Sequence, residues 1–139
     1  MRKDDCIFCK LANGDIPTNT IYEDNEFRVI MDVAPATKGH ALVLPKDHYA
    51  DIYEIDPDVL GRAIQVGQKV VKHATKVLGC DGYNLLQNNG TAAGQTVFHF
   101  HLHLIPRYVD MDNAKMLTMP VKEADMDALK ALAESLKMD

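Results

Sequence analysis

The 139-residue sequence has little of what would place a protein in a membrane, outside the cell or on a nucleic acid. No apolar run is long enough to cross a bilayer. The N-terminal stretch "MRKDDCIFCK" lacks the apolar core and small-residue cleavage site of a secretory signal, so the expected location is cytoplasmic. Three cysteines, Cys6, Cys9 and Cys80, are too few, and odd in number, for a disulfide framework. Positive charge is in deficit. A formal net charge of −5 argues against a broad nucleic-acid footprint, though not against a small phosphate-bearing ligand. Repeats and low-complexity tracts are absent, and the length suits one domain over residues 1–139. An apolar content of 47% is enough to build a core.

What is present reads as short strands around one long helix. "DPDVLGRAIQVGQKVVKHATKVLG" carries Leu60, Ala63, Ile64, Gly67, Val70, Val71, Ala74, Val77 and Leu78 at helical spacing. Asp56 is its expected N-cap, Pro57 its first residue and Gly79 its stop. Arg62, Lys69, Lys72 and Lys76 fall on the other face and read as solvated, with His73 an ordinary surface histidine. Gly61 and Gly67 weaken the helix on propensity, but small residues let a helix press closely on a sheet or a partner. A short helix is expected near residues 6–13, stopped by Gly14 and Pro17, and a C-terminal one over roughly 123–137 with Met126, Leu129, Ala133 and Leu136 on one side. Strands are expected at "TIYED" and "EFRVIMD" around a tight Asp24-Asn25 turn, then at "HALVLP", "YNLLQ" and "FHFHLHLI". The order implies an α+β fold.

The segment "QTVFHFHLHLIPR" concentrates three of the six histidines, His99, His101 and His103, on alternate positions. In a strand these share one face at about 7 Å spacing, and Phe98, Phe100, Leu102 and Leu104 point the other way into a core. Two chemistries fit such a row. Neutral imidazoles on one face can ligate a metal ion. Alternatively, an imidazole can attack phosphorus and form a covalent phosphoramidate. The preceding loop "QNNGTAAGQTVFH" offers backbone and side-chain donors that suit phosphate oxygens. Cys6 and Cys9 form a C-x-x-C pair, which suggests metal binding or redox chemistry, while Cys80 in "GCDG" reads as a small hydrophobe.

"HFHLHLI" resembles the His-φ-His-φ-His-φ-φ signature (φ apolar) of the histidine triad, or HIT, superfamily. The likeness extends to "CIFCKLANGDIPTNTIYEDNEFRVIMDVAPATKGHALVLPKDHY" and "NNGTAAGQTVFHFHLH", so it covers most of residues 6–107 and is similar to the Hint-type branch. It implies a HIT-like fold with an antiparallel sheet, one long helix and a C-terminal helix. It also implies a homodimer with the long helix at its interface, and chemistry at the α-phosphorus of a purine nucleotide or nucleotide conjugate. By the same likeness His101 is the nucleophile and passes through a nucleotidyl-histidine intermediate. His103 holds phosphate, and His40 is a fourth active-site histidine. Asn88, Gln95 and Thr96 contact phosphate or the scissile bridge, and Asp32 bonds the ribose hydroxyls. Phe8, Leu11, Ile16, Ile30 and Val33 form the apolar base pocket. Cys6, Cys9, His48 and His99 match the ligands of a structural zinc ion, a complete Cys₂His₂ set. Two alternatives stay open. One is a dinucleoside polyphosphate hydrolase of the Fhit type, suggested by "AGQTV" and "HLIPR". The other is a nucleotide-binding regulatory protein.

Overall fold

The computed structural model of the protein describes residues 1–110 and 119–138. Five strands form one antiparallel sheet: β1 (Thr20–Glu23), β2 (Phe27–Met31), β3 (Ala41–Pro45), β4 (Gly82–Leu86) and β5 (Leu102–Arg107), in the order β1-β2-β3-β5-β4. Asp24 closes the first hairpin, its Oδ1 accepting from the backbone N–H groups of Glu26 and Phe27 at 2.8 and 2.7 Å. Helix α1 (Ile7–Ala12) lies against β2 and β3, and α2 (Pro57–Leu78) against β3, β5 and β4.

Strand alternation sorts the apolar residues between these two helices. Phe27, Val29, Ala41, Val43, Leu102 and Leu104 join Val59, Ala63, Val66 and Val70 of α2 in the main core. Ile30, Leu42 and Leu44 face the other way and pack with Ala12, Phe8 and Leu11. Each large buried side chain contributes about 1.5–3 kcal/mol, so a one-residue slip in register, which would exchange the two sets, is strongly disfavoured.

Helix α2 starts and stops where the sequence indicates. Asp56 accepts from the backbone of Asp58 and Val59, Pro57 opens the helix, and Gly79 closes it in the left-handed region at φ 64°. The buried seam differs from the expected one. Val59 and Val66 join Ala63, Gly67 and Val70, while Ile64 lies off this seam and is exposed, and Val77 is exposed in the last part of the helix, where no residue beyond Val70 is fully buried. The polar face also has partners: Arg62 binds Glu26 through two nitrogens, and Lys69 sits 5.1 Å over the Tyr22 ring. His73 is exposed and Cys80 buried, as expected.

One further expectation is corrected. The strand at the histidines begins at Leu102 rather than Phe98, and Phe98 is exposed instead of entering the core. Its segment bends before β5, and the N–H of Phe100 donates to the Tyr49 carbonyl. The C-terminal helix, α3 (Met126–Leu136), is capped by Asp125, and Met126, Leu129 and Leu136 are all exposed. Among the described residues no helix is long and apolar enough to cross a membrane.

The two helix glycines play opposite parts. A Cβ on Gly67 would lie 3.2 Å from Leu102 Cδ2 and 3.4 Å from Leu104 Cδ2, so the bare backbone lets α2 press against β5. A Cβ on Gly61 would meet nothing within 4 Å. Gly67→Val is therefore expected to cost about 1–3 kcal/mol through overpacking. Gly61→Ala is expected to gain about 0.5–1 kcal/mol by stiffening the unfolded chain. Urea unfolding of the two variants checks both signs.

Candidate functional site

The site is built where β5, α1 and the loop before β5 meet. Burial of Phe100, Leu102 and Leu104 on the α2 side turns His99, His101 and His103 toward α1. That face is not wet, contrary to the simplest reading of the alternation. His99 is fully buried, His101 is 7% exposed and His103 is half-buried, because α1 and the N-terminal segment cover them.

The hydrogen bonds give each ring a different job. Nε2 of His99 lies 2.8 Å from the Pro45 carbonyl and so carries the proton. Its Nδ1 then presents a lone pair to the thiols of Cys6 and Cys9, each 3.4 Å away. His48 Nδ1 lies 3.5 Å from Cys9 Sγ. The four donors of Cys6, Cys9, His48 and His99 fall within 4.8 Å of one another and could hold a metal ion. Helix α1 is shaped for this, since Cys6 is its N-cap and accepts from the N–H of Cys9. Asn13 ends the helix, donating to the carbonyls of Cys9 and Lys46 at 2.8 and 2.9 Å.

In His101 the committed nitrogen is Nδ1, 2.7 Å from the carbonyl oxygen of His99. The proton sits on Nδ1, and Nε2 keeps a free lone pair. A third arrangement holds His103. The Ala36 N–H donates to His40 Nδ1 at 2.9 Å, so His40 carries its proton on Nε2 and donates from there to His103 Nδ1, also at 2.9 Å. His103 is left with an N–H at Nε2. This chain also decides the status of Asp32, His40 and His103, whose ligand atoms lie within 4.8 Å of one another. The nitrogen of His40 that faces the group is a donor, so the three form a hydrogen-bonded set rather than a metal site.

His101 and His103 line a cavity of about 690 Å³. Phe8, Leu11, Ile16, Ile30 and Val33 form its apolar walls, with Asp32 and Thr96 among its polar groups. Ile7, Thr18, Asn19, Leu42 and Val97 also line it and were not singled out from the sequence. Leu42 was within reach of such reasoning, since it pairs with His103 across β3 and β5. Asp32 Oδ1 accepts from Ala34 N at 2.8 Å, and its Oδ2 lies 3.5 Å from His40 Nε2.

Two loop residues sit elsewhere. Gln95 is 2% exposed and away from the cavity wall. Its amide accepts from Gly90 N and donates to the carbonyls of Ala50 and Val97, so it clasps the loop rather than facing a ligand. Asn88 is half-buried and lies against the turn at Gly94, outside the cavity lining.

Burial lowers the proton affinity of every ring in the site. It pushes His103 down to about 4, helped by the neighbouring His101 and His40, and lowers His101 and His40 despite the attraction of Asp32. As pH falls, the unfolded chain therefore takes up a proton at His103 before the native protein does. The stability that His103 contributes is whole above about pH 6.5 and is lost on the way down to about 4. Urea stability is expected to fall across that window, and less steeply in His103→Asn.

The HIT domain family matches residues 13–110. An uncharacterized HIT-like protein of Methanocaldococcus jannaschii is 45% identical over 122 residues, 88% of this chain and 93% of that protein. An adenosine 5′-monophosphoramidase of Saccharomyces cerevisiae is 36% identical over 131 residues, 94% of this chain and 80% of its own. A Zn-bound histidine triad family protein from Mycobacterium smegmatis, known from its crystal structure, covers 95% of each chain at 38% identity and a TM-score of 0.74. The histidine segment, the antiparallel sheet and these matches converge: the chain belongs to the HIT family.

Proposed function

We propose that the protein hydrolyses nucleoside phosphoramidates, or closely related purine nucleotide conjugates, at the α-phosphorus. The observation that carries this reading is His101, which is buried, neutral and tied at Nδ1 to the His99 carbonyl, with a free Nε2 lone pair on the wall of a nucleotide-sized cavity. The relationship to the yeast phosphoramidase supports it.

In this reading the base lies among Phe8, Leu11, Ile16, Ile30 and Val33, and the Asp32 carboxylate accepts from the ribose hydroxyls. Nε2 of His101 attacks phosphorus, the P–N bond breaks, and the leaving amine takes up a proton from solvent, which the water of the second step returns. Positive charge that develops on the ring is stabilised by the His99 carbonyl at Nδ1. His103 donates from Nε2 to a phosphate oxygen, its tautomer fixed by His40. Thr96, at the cavity wall, offers its hydroxyl near the scissile bond. Water then attacks phosphorus, releasing the nucleoside monophosphate and restoring His101. Gln95 and Asn88 act through the loop they shape.

The charge of the cavity separates this substrate class from dinucleoside polyphosphates. Among the described residues its only charged lining residue is Asp32, and no lysine or arginine lines it. One phosphate charge can be met by neutral donors. Three or four would face a carboxylate and no cation.

The four-donor cluster reads as a zinc site. Zn–S bonds of about 2.3 Å and Zn–N bonds of about 2.0–2.1 Å put tetrahedral S···N edges at about 3.5 Å, the separations that Cys6, Cys9, His48 and His99 show. Two thiolates and two neutral imidazoles balance a divalent cation, and the Pro45 carbonyl orients His99 as an outer partner. Bound there, zinc would cross-link α1 to the segment that precedes β5, through His99, and to the segment that follows β3, through His48. The homodimer belongs to the same reading, with β4 an open edge of the sheet and Ile64 and Val77 exposed on α2.

The purified protein is expected to turn over adenosine phosphoramidate with a kcat/KM well above that for diadenosine tetraphosphate. His101→Ala is expected to lower kcat by at least 10³-fold, on the order of the loss when a covalent nucleophile is removed, while AMP still binds. Parent-like turnover by His101→Ala would overturn the mechanism. Elemental analysis is expected to give about one zinc per chain, with Cys9→Ser lowering both zinc content and Tm.

A further inference from the structure

The helix that carries the two cysteines also forms a wall of the cavity. Cys6 caps α1 and Cys9 lies within it, while Ile7, Phe8 and Leu11 of the same helix line the nucleotide-sized space. Six residues are too few for a helix to persist by itself. What holds α1 is the donor cluster on one side, the Asn13 bonds at its end, and the packing of Phe8, Leu11 and Ala12 on Ile30, Leu42 and Leu44.

Two physical routes join the cluster to the nucleophile. One runs through His99. Its ring faces the thiols and its carbonyl oxygen holds the Nδ1–H of His101, so a rotation of the His99 peptide would release that proton. The other runs through Phe8, which stands between the two cysteines in sequence. Its ring meets His101 edge-on at 4.9 Å and 79°, and lies 6.1 Å from His99 at 69°. Displacement of α1 would remove this ring from His101 and open the base pocket together.

We infer that metal occupancy of the Cys6–Cys9–His48–His99 site and nucleotide binding in the cavity are energetically coupled through α1, with Phe8 as the positioning residue that carries the coupling. This rests on the zinc and nucleotide readings above. A cation at the four donors fixes α1, and a nucleotide seated against Phe8 and Leu11 holds the same helix over the donors. Each then raises the other's affinity by the same factor, expected at about tenfold.

The test uses the zinc-loaded protein. Release of zinc to an excess of a chromophoric chelator is followed with and without saturating AMP. Release is expected to slow about tenfold with AMP. Hydrogen exchange is expected to slow at Ile7–Ala12 with AMP while the α2 core is unchanged. Phe8→Ala is expected to bind zinc but to lose the effect of AMP, and Phe8→Leu to restore most of it. In His101 side-chain NMR spectra, zinc removal is expected to broaden the Nδ1–H signal. Equal release rates with AMP bound, or slowing with uniform protection across α2, would overturn the coupling. Absence of zinc would instead overturn the zinc reading, and failure of AMP to bind the nucleotide reading, so the three outcomes are distinct.

Discussion

The burial of Phe100, Leu102 and Leu104 against α2 is the constraint on which the rest of the site depends. These side chains contribute about 1.5–3 kcal/mol each and cannot exchange faces with their neighbours without losing it. The period of two then leaves His99, His101 and His103 no choice of direction. Gly67 belongs to the same constraint. By letting α2 approach β5 closely it tightens the clamp on Leu102 and Leu104, and so on the histidines between them. The chemistry of the site is fixed by apolar packing on the reverse side of the strand.

Burial alone would leave three similar, desolvated imidazoles. Their roles are separated by main-chain atoms. The Pro45 carbonyl sets the tautomer of His99, the His99 carbonyl that of His101, and the Ala36 N–H, through His40, that of His103. Backbone groups suit the task because they are fixed donors or acceptors that do not titrate. The order follows the chain: a ring committed at both nitrogens, a ring with a free lone pair, and a ring with a free N–H. Lowered proton affinity at His101, His103 and His40 keeps the arrangement intact at neutral pH.

Much of this was legible in the sequence, and what was not has identifiable causes. Residue pattern alone put the histidines on one face and capped α2 at Asp56 and Gly79, while the family resemblance grouped the apolar pocket residues, which lie together in the structure. Resemblance was needed to join Cys6 and Cys9 to His48 and His99, because no local pattern links residues so far apart. The start of β5 was misplaced because alternation continues through Phe98 although the chain has bent there. The role of Gln95 was hidden for a different reason. A buried glutamine that satisfies three backbone groups looks, in sequence, like any polar residue of a ligand-binding loop.

The lack of cationic side chains among the described residues of the cavity wall follows from the same economy of charge. A lysine or arginine among Phe8, Leu11 and Ile30 would have to be desolvated, and its field would lower the proton affinity of His103 and His101 further. In the proposed reaction it would also compete with phosphorus for the lone pair of His101 by hydrogen bonding. Neutral donors avoid both effects and still meet one phosphate. The lone carboxylate, Asp32, is tolerated because its Oδ1 accepts from Ala34 N and its Oδ2 faces the Nε2–H of His40. In the proposed reaction, a cavity built this way gives up long-range attraction for anions and leaves the His101 lone pair unobstructed and its basicity no lower than burial makes it. Such a site suits the proposed substrate, whose phosphate carries one charge and whose base would rest in the apolar part of the cavity.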